Sequence, residues 1–349
     1  MRSEATYTTL ATAFLVLAIL AGGLLAPPDG RADDNPTVFK FATLAPKNVG
    51  WSRHIENIVL PYIRKATEDH LRIKVYWGGI MGDDEDYLRK MRIGQLQGAG
   101  LSGQGVALLV PEMSVLQLPF MFRNYEEVDY VKERMTERFD RLLRDRGLFL
   151  IAWIDQDFDQ TYSVHRPLGT LEDFRGARFH TWYGKVEEEV IEALGAMPVP
   201  VDVPEAPSAV RQGMFNVGMG PALWFVGAQM YSVFRYVNPM PLRYSPALVV
   251  ANIEAWNSLS SRHQKNVLSD RQRLMRRFCD AVRKDNQKSL DAMCAYGLRR
   301  VEPGPRELEE FRKVTRPIWD ELAGDLYSKE LLEELISHLR DFREGGAGR

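Results

Sequence analysis

The side chains that most often carry chemistry are thinly spread in this chain. Six histidines stand at 54, 70, 165, 180, 263 and 338, and no two of them are at metal-ligand spacing. A GxSxG elbow, a GxxxxGK[ST] loop, an HExxH helix and a CxxC pair are all absent, so the common nucleophile, phosphate-cradle and zinc signatures have no residues to rest on. The string GAGLSG at 98–103 fits the dinucleotide fingerprint GxGxxG. That fingerprint needs a strand just before it. Here YLRKMRIGQLQ precedes it and reads as the end of an amphipathic helix, so the glycines fall in a strand or loop and no nucleotide cofactor is expected. Gly98, Gly100, Gly103 and Gly105, like Gly218 and Gly220 later, alternate with other residues. Such glycines mark either tight structural contact or close approach by a ligand.

The elements that must position these residues follow from hydrophobic period and punctuation. TVFKFATLA and LRIKVYWGG alternate as strands, with helical spacing between them, and GDDEDYLRKMRIGQL is a helix capped by Asp83 or Asp84. GLFLIAWID (147–155) and TYSVHRPL (161–168) read as strands separated by a polar, hinge-like QDFDQ. ARFHTWY is a short strand, VEEEVIEALG a helix closed by Gly195, APSAVRQGM a shorter helix, and ALVVANIEAW strand and turn. The rest is mainly helical to about residue 340. Strand–helix alternation implies α/β architecture, and 349 residues are enough for two domains.

Two cysteines, Cys279 and Cys294, lie in a stretch (261–296) without Gly or Pro that reads as one long helix, with or without a break. Fifteen helical residues separate them by about 22 Å, beyond the ~7 Å limit for a disulfide. Two free, mostly buried thiols are expected. Lys plus Arg total 45 against 47 Asp plus Glu, a balance that gives no electrostatic reason for a nucleic-acid partner. The basic run RQRLMRR (271–277) sits at helical spacing and reads as a solvated helix face. Residues 1–32 read as a cleaved export signal: Arg2, an apolar run from Ala11 through Ala21, and small Gly30 and Ala32 before Asp33. Retention of that segment as an anchor is the alternative.

With these segments in order, FATLAP, KVYWGGIMGDDEDYLRKMRIGQLQ, VPEMSVLQLPFMFRNYEEV, RPLGTLEDFRGARF, ALGAMPVPVDVPE and SAVRQGMFN resemble the solute-binding proteins of tripartite ATP-independent periplasmic (TRAP) transporters, the DctP-like family. The resemblance runs from about Phe39 to about residue 340. It implies a periplasmic, non-catalytic binding protein of two α/β lobes with crossing hinge strands and a long spanning helix. Such a protein closes over a small molecule and delivers it to membrane permease subunits, with no cofactor or metal. The expected division is 33–156 with 246–285 as lobe 1, 157–245 with 286–340 as lobe 2, and 341–349 as a flexible tail. Chain crossings near 156 and 245 form the hinge, and no single continuous sheet is expected.

The family's usual ligand is an organic acid, held by an arginine whose fork matches a carboxylate. In the segment that aligns with it, Gly176-Ala177-Arg178-Phe179-His180, the resemblance puts His180 in the arginine's place and Arg178 on a solvent-side lysine. Asp159 falls on another polar position and would repel a carboxylate. Ser102 falls on an often polar first-lobe site, and Met219 and Gly220 fall where the family carries an amide and an acid. Trp182 shares the strand face of His180; Trp51 and Trp224 complete the candidate ligand-binding set. These departures imply a ligand that is bulky and apolar, or neutral to cationic, rather than a small dicarboxylate; an organic acid held by a protonated His180 is the alternative. A ligand-sensing or lipid-shuttling protein with another partner, and an exported enzyme using His180, are the other readings.

Overall fold

The computed structural model describes residues 36–182 and 184–346; the expected export signal, 1–32, lies outside them. Among the described residues nine strands form one sheet in the order β2-β1-β3-β8-β4-β7-β5-β6, with β9 pairing beside β8. They are β1 (Thr37–Thr43), β2 (Leu71–Tyr76), β3 (Gly98–Leu101), β4 (Leu148–Ser163), β5 (Arg178–Thr181), β6 (Met197–Pro200), β7 (Val217–Gly220), β8 (Tyr236–Asn252) and β9 (Arg299–Arg300).

β4 and β8 are the organising elements. They run antiparallel down the middle of the sheet, and each is long enough to serve both halves. The expected separate sheets are therefore one sheet, because its two central strands continue through the crossing. QDFDQ is likewise not a break between strands but the middle of β4, and the strand expected over 161–168 is the end of β4 and stops at Ser163. Alternate residues of a β-strand face opposite sides, and along β4 both sets are almost wholly buried. The sheet is thus covered on both faces, so polar residues here do not signal a loop. The polarity is absorbed by bulges: the register shifts at Leu150/Ala152, Asp155/Asp157 and Asp159/Thr161. The middle bulge leaves Gln156 unpaired between Asp155, opposite Pro246, and Asp157, opposite Ser245.

Local signals set the helices. Asp83 caps Asp84–Arg92 by accepting from Glu85 and Asp86 N–H, and Asn124 caps Tyr125–Asp145. Thr170 and Asp173 form a reciprocal capping box. Gly195, at φ +80°, follows the end of Lys185–Ala193, a conformation a side chain would oppose. The long helix Arg271–Ala295 is separated from Ser261–Ser269 at Asp270. It spans about 37 Å and buries Phe278, Val282, Asn286, Leu290 and Met293. Cys279 is buried and Cys294 partly so, and both are free. The final helix runs Lys329–Gly346, so the expected tail is helical through 346. Its Arg343 pairs with buried Glu127, and Glu334 pairs with Arg138. The final helix therefore sits on Tyr125–Asp145.

Candidate functional site

A cleft opens where the crossing strands meet the flanking loops. Thr43–Pro46, Gly100–Ser102 and Ala247–Val249 line one wall; Trp182, Val203 and Trp224 line the other; Ile154 and Gln156 form its floor. Trp51 and Ile55 close one end. Among the described residues that line it, none is charged. Gln156 supplies the defined polar contact. Its Oε1 accepts from Gly103 N–H at 2.7 Å and from the Ser245 hydroxyl at 2.8 Å, which turns the amide N–H₂ outward as a donor. Ser102 is committed elsewhere: its hydroxyl donates to Asp84 and also caps the Gly103–Leu109 helix. Burial pushes the Asp84 carboxyl up to about 6 against the pull of Ser102. Beside the cleft, a depression sharing Leu44, Trp182 and Val203 carries Asp83, Asp84, Glu85 and Asp202. The approach is acidic.

The histidine takes another role. His180 is 1% exposed, and both ring nitrogens are engaged: Nε2 with Val201 O at 3.0 Å, Nδ1 accepting from Trp182 Nε1 at 3.1 Å. Those partners define the Nε2–H tautomer. Its ring stacks between Phe215, centroids 4.8 Å apart, and Trp224, at 5.7 Å. Burial lowers its pKa, although the Glu187 charge and the Val201 bond oppose this. His180 is a neutral strut behind Trp182 and Trp224, so it offers no donor in place of a guanidinium.

Trp51, Ser102, Trp182 and Trp224 line the cleft. Met219 and Gly220 do not: Met219 is buried in the main core, paired across from Thr161, and a Cβ on Gly220 would meet the Trp224 ring at 3.1 Å. The remaining glycines divide by contact. A Cβ on Gly98 would meet Phe41 and Val250 O, one on Gly105 would meet Asp84, and one on Gly103 the Ser245 hydroxyl, all under 3 Å. Those three are demanded by close contact, whereas Gly100 lies in the cleft wall.

Asp159 is also not a free negative charge beside the ligand. It is buried, and Arg243, its register partner on β8, sits with Nε 2.7 Å from Oδ2, although the N–H direction misses hydrogen-bond geometry. Arg243 also reaches Glu187 and Gln117. Burial pushes Asp159 up to about 6; Arg243 opposes this and Glu187 adds to it. Beneath the crossing, Asp155 is fully buried and held by Lys132, Arg283 and the Tyr244 hydroxyl. Burial alone would raise its pKa, but the two cations bring it down to about 2. Burial likewise opposes the Lys132 ammonium, yet Asp155 holds its pKa above the ordinary value.

Three residues that matter here were not picked out by type: Gln156, Arg243 and Asn286. Asn286 of the long helix donates to Gln156 O and accepts from Leu223 N–H, while Trp51 Nε1 donates to Asp155 O at 3.3 Å. The bulge carbonyls are thus held from two sides. The available signal was Gln156 itself, set between two aspartates in a polar run that has β-formers on either side, FLIAWI before it and TYSV after it.

A sheet crossed by two long strands, a helix tied to the crossing and a cleft beside it define a two-lobed binding protein. Residues 61–325 match the family described as bacterial extracellular solute-binding protein, family 7, and the chain belongs to that family. The family's members are TRAP-type transport binding proteins and not enzymes. A solute-binding protein of Chromohalobacter salexigens is 22% identical over 286 residues, 80% of this chain and 82% of the relative. The C4-dicarboxylate-binding periplasmic protein DctP of Rhodobacter capsulatus is 24% identical over 305 residues, 84% of this chain and 86% of its own. In three dimensions the chain is similar to the sugar-acid binding protein of Advenella mimigardefordensis in complex with galactonate. The TM-score is 0.83 at 19% identity, covering 88% of this chain and 99% of that one. Among the described residues no helix is long and apolar enough to cross a membrane, and no cluster of His, Cys, Asp or Glu could hold a metal.

Proposed function

We propose that this chain is the extracytoplasmic component of a TRAP-type secondary transporter, exported after cleavage of residues 1–32, and that its ligand is neutral or cationic and largely apolar. The observation that carries the ligand class is the cleft lining, without a charged side chain and with the Gln156 amide as its defined donor. A carboxylate seated there would give up water without a cation, at several kcal/mol. The acidic approach works against an anion as well. Trp182, Trp224 and Trp51 supply broad apolar contact of the kind that orders bulky ligands. Lobe closure is then stabilised by contacts made only in the closed form, and the captured molecule passes to membrane permease subunits.

The test is a calorimetry and thermal-shift panel of succinate, galactonate, aliphatic amides, amines and aromatic amides at pH 6 and pH 8. Neutral or cationic apolar compounds are expected to bind, with Trp182→Ala weakening them about tenfold or more. Micromolar binding of succinate or galactonate at both pH values would overturn the ligand class.

A further inference from the structure

Behind the cleft the structure holds a second space that family membership does not call for. It lies between the sheet and the helices Trp51–His54, Leu60–Ala66 and Arg271–Ala295, and measures about 80 Å³. Ile73 and Val75 of β2, Ile151 of β4, Val249 of β8, and Ile55 and Val59 of the π-helical turn Ile55–Val59 face it. All six are only half-buried, although aliphatic side chains between a sheet and its covering helices are ordinarily buried. The open space against them accounts for that exposure.

The two spaces adjoin. Thr43, Ile55, Gly100, Ile154 and Val249 line both. Backbone pairing sets Thr43 beside Gly100, Gly100 beside Val249, and Val249 beside Ala152, one row across β1, β3, β8 and β4. Two of the four residues in that row have little or no side chain. Gly100 therefore lowers the wall between cleft and chamber, and a Cβ there would press on Thr43 Oγ1 at 3.2 Å. The charged residue on the chamber lining, Arg271, donates to Leu150 O at 3.1 Å, so its guanidinium is turned toward the strand backbone.

We infer that this chamber receives the hydrocarbon portion of the ligand, a chain of about five to eight heavy atoms at one per 10–15 Å³, while the polar end stays against Gln156. The inference rests on the cleft accepting an uncharged head group, and the experiment separates the two. Straight-chain alkanamides from butanamide to dodecanamide are titrated into the purified full-length chain by calorimetry. Affinity rises about three- to fourfold per added methylene until the chamber is filled, then levels off. Ala152→Phe, at a position that lines the chamber and not the cleft, flattens that dependence; Val75→Phe, on β2 and away from the residues the two spaces share, does the same by a different route, each checked for a native melting transition. In crystals grown with 10-bromodecanamide, the bromine anomalous peak lies among Val75, Ile151 and Met275. Binding that is flat in chain length, or a bromine peak at the cleft mouth, overturns the chamber alone. Failure of every amide to bind overturns the proposed ligand class and the chamber with it.

Discussion

His180 shows how a residue's chemistry is decided by what its atoms already touch. A strand histidine behind a ligand cleft invites the expectation of a protonation switch. With Val201 O on one nitrogen and the Trp182 indole on the other, protonation would place a second N–H against the Trp182 N–H in a buried box. The imidazole is therefore expected to stay neutral, its pKa below the ordinary 6.5, and ligand affinity should be flat between pH 6 and pH 8. Histidine ¹⁵N chemical shifts in a titration, together with calorimetry at both pH values, check this; a tenfold gain in binding at pH 6 that disappears in His180→Gln would contradict it. Gln156 is the complementary case. Gln156→Leu removes the cleft donor and two acceptor contacts at once, so it should weaken carbonyl-bearing ligands by about tenfold or more, measured against an apolar compound of similar shape that lacks a carbonyl. Strand period alone pairs Trp182 with His180, because they are two residues apart. That Val201, Phe215 and Trp224 complete the box could not be read, since those residues come from three other segments of the chain.

At the scale of elements, the crossing is held by charge in a dry place. Asp155 lies beneath the Gln156 bulge and draws together Lys132 from Tyr125–Asp145, Arg283 from the long helix and Tyr244 from β8. Removing one member of such a group leaves a buried charge without its partner. Asp155→Asn should therefore cost about 3–5 kcal/mol in urea unfolding, whereas Arg276→Gln, which touches only the surface pair with Glu133, should cost about 1 kcal/mol or less. Equal costs would mean that the network contributes no more than a surface pair. The helices and short strands were legible from caps and period. The length of β4 was not, because a polar run reads as a loop until the helices that cover it are known. Its middle register shift falls between Asp155 and Asp157, opposite Pro246 and Ser245.

Across the whole molecule, the arrangement suggests lobes that move about that bulge. We propose 36–156 with 246–285 as one, now joined by the final helix through Arg343 and Glu334, and 157–245 with 286–328 as the other; a fall in radius of gyration on ligand binding, by small-angle scattering, would follow. The same crossing sets the response to pH. Asp84, Asp157 and Asp159 are buried, and burial pushes them up to about 6, 7 and 6. For Asp157, the charges of Asp155 and Asp159 add to burial, while hydrogen bonds from Tyr125 and Phe158 N–H resist it. A carboxyl that holds its proton more tightly when folded contributes stability that is fully present below its unfolded pKa of 3.8. That contribution is lost as pH rises toward 7, at up to about 1.4 kcal/mol per pH unit. Asp155 has the opposite sign, and its contribution is lost only as pH falls from about 4 to 2. The chain should therefore be less stable at pH 8 than at pH 5. Asp157→Asn keeps an oxygen that can accept from Tyr125 and Phe158 N–H but cannot ionise, so it should match the parent near pH 4 and exceed it by about 2 kcal/mol or more at pH 8. Urea midpoints at pH 4, 5 and 8 measure both quantities. A constant gap at all three values would show that Asp157 acts through its contacts and not through its proton.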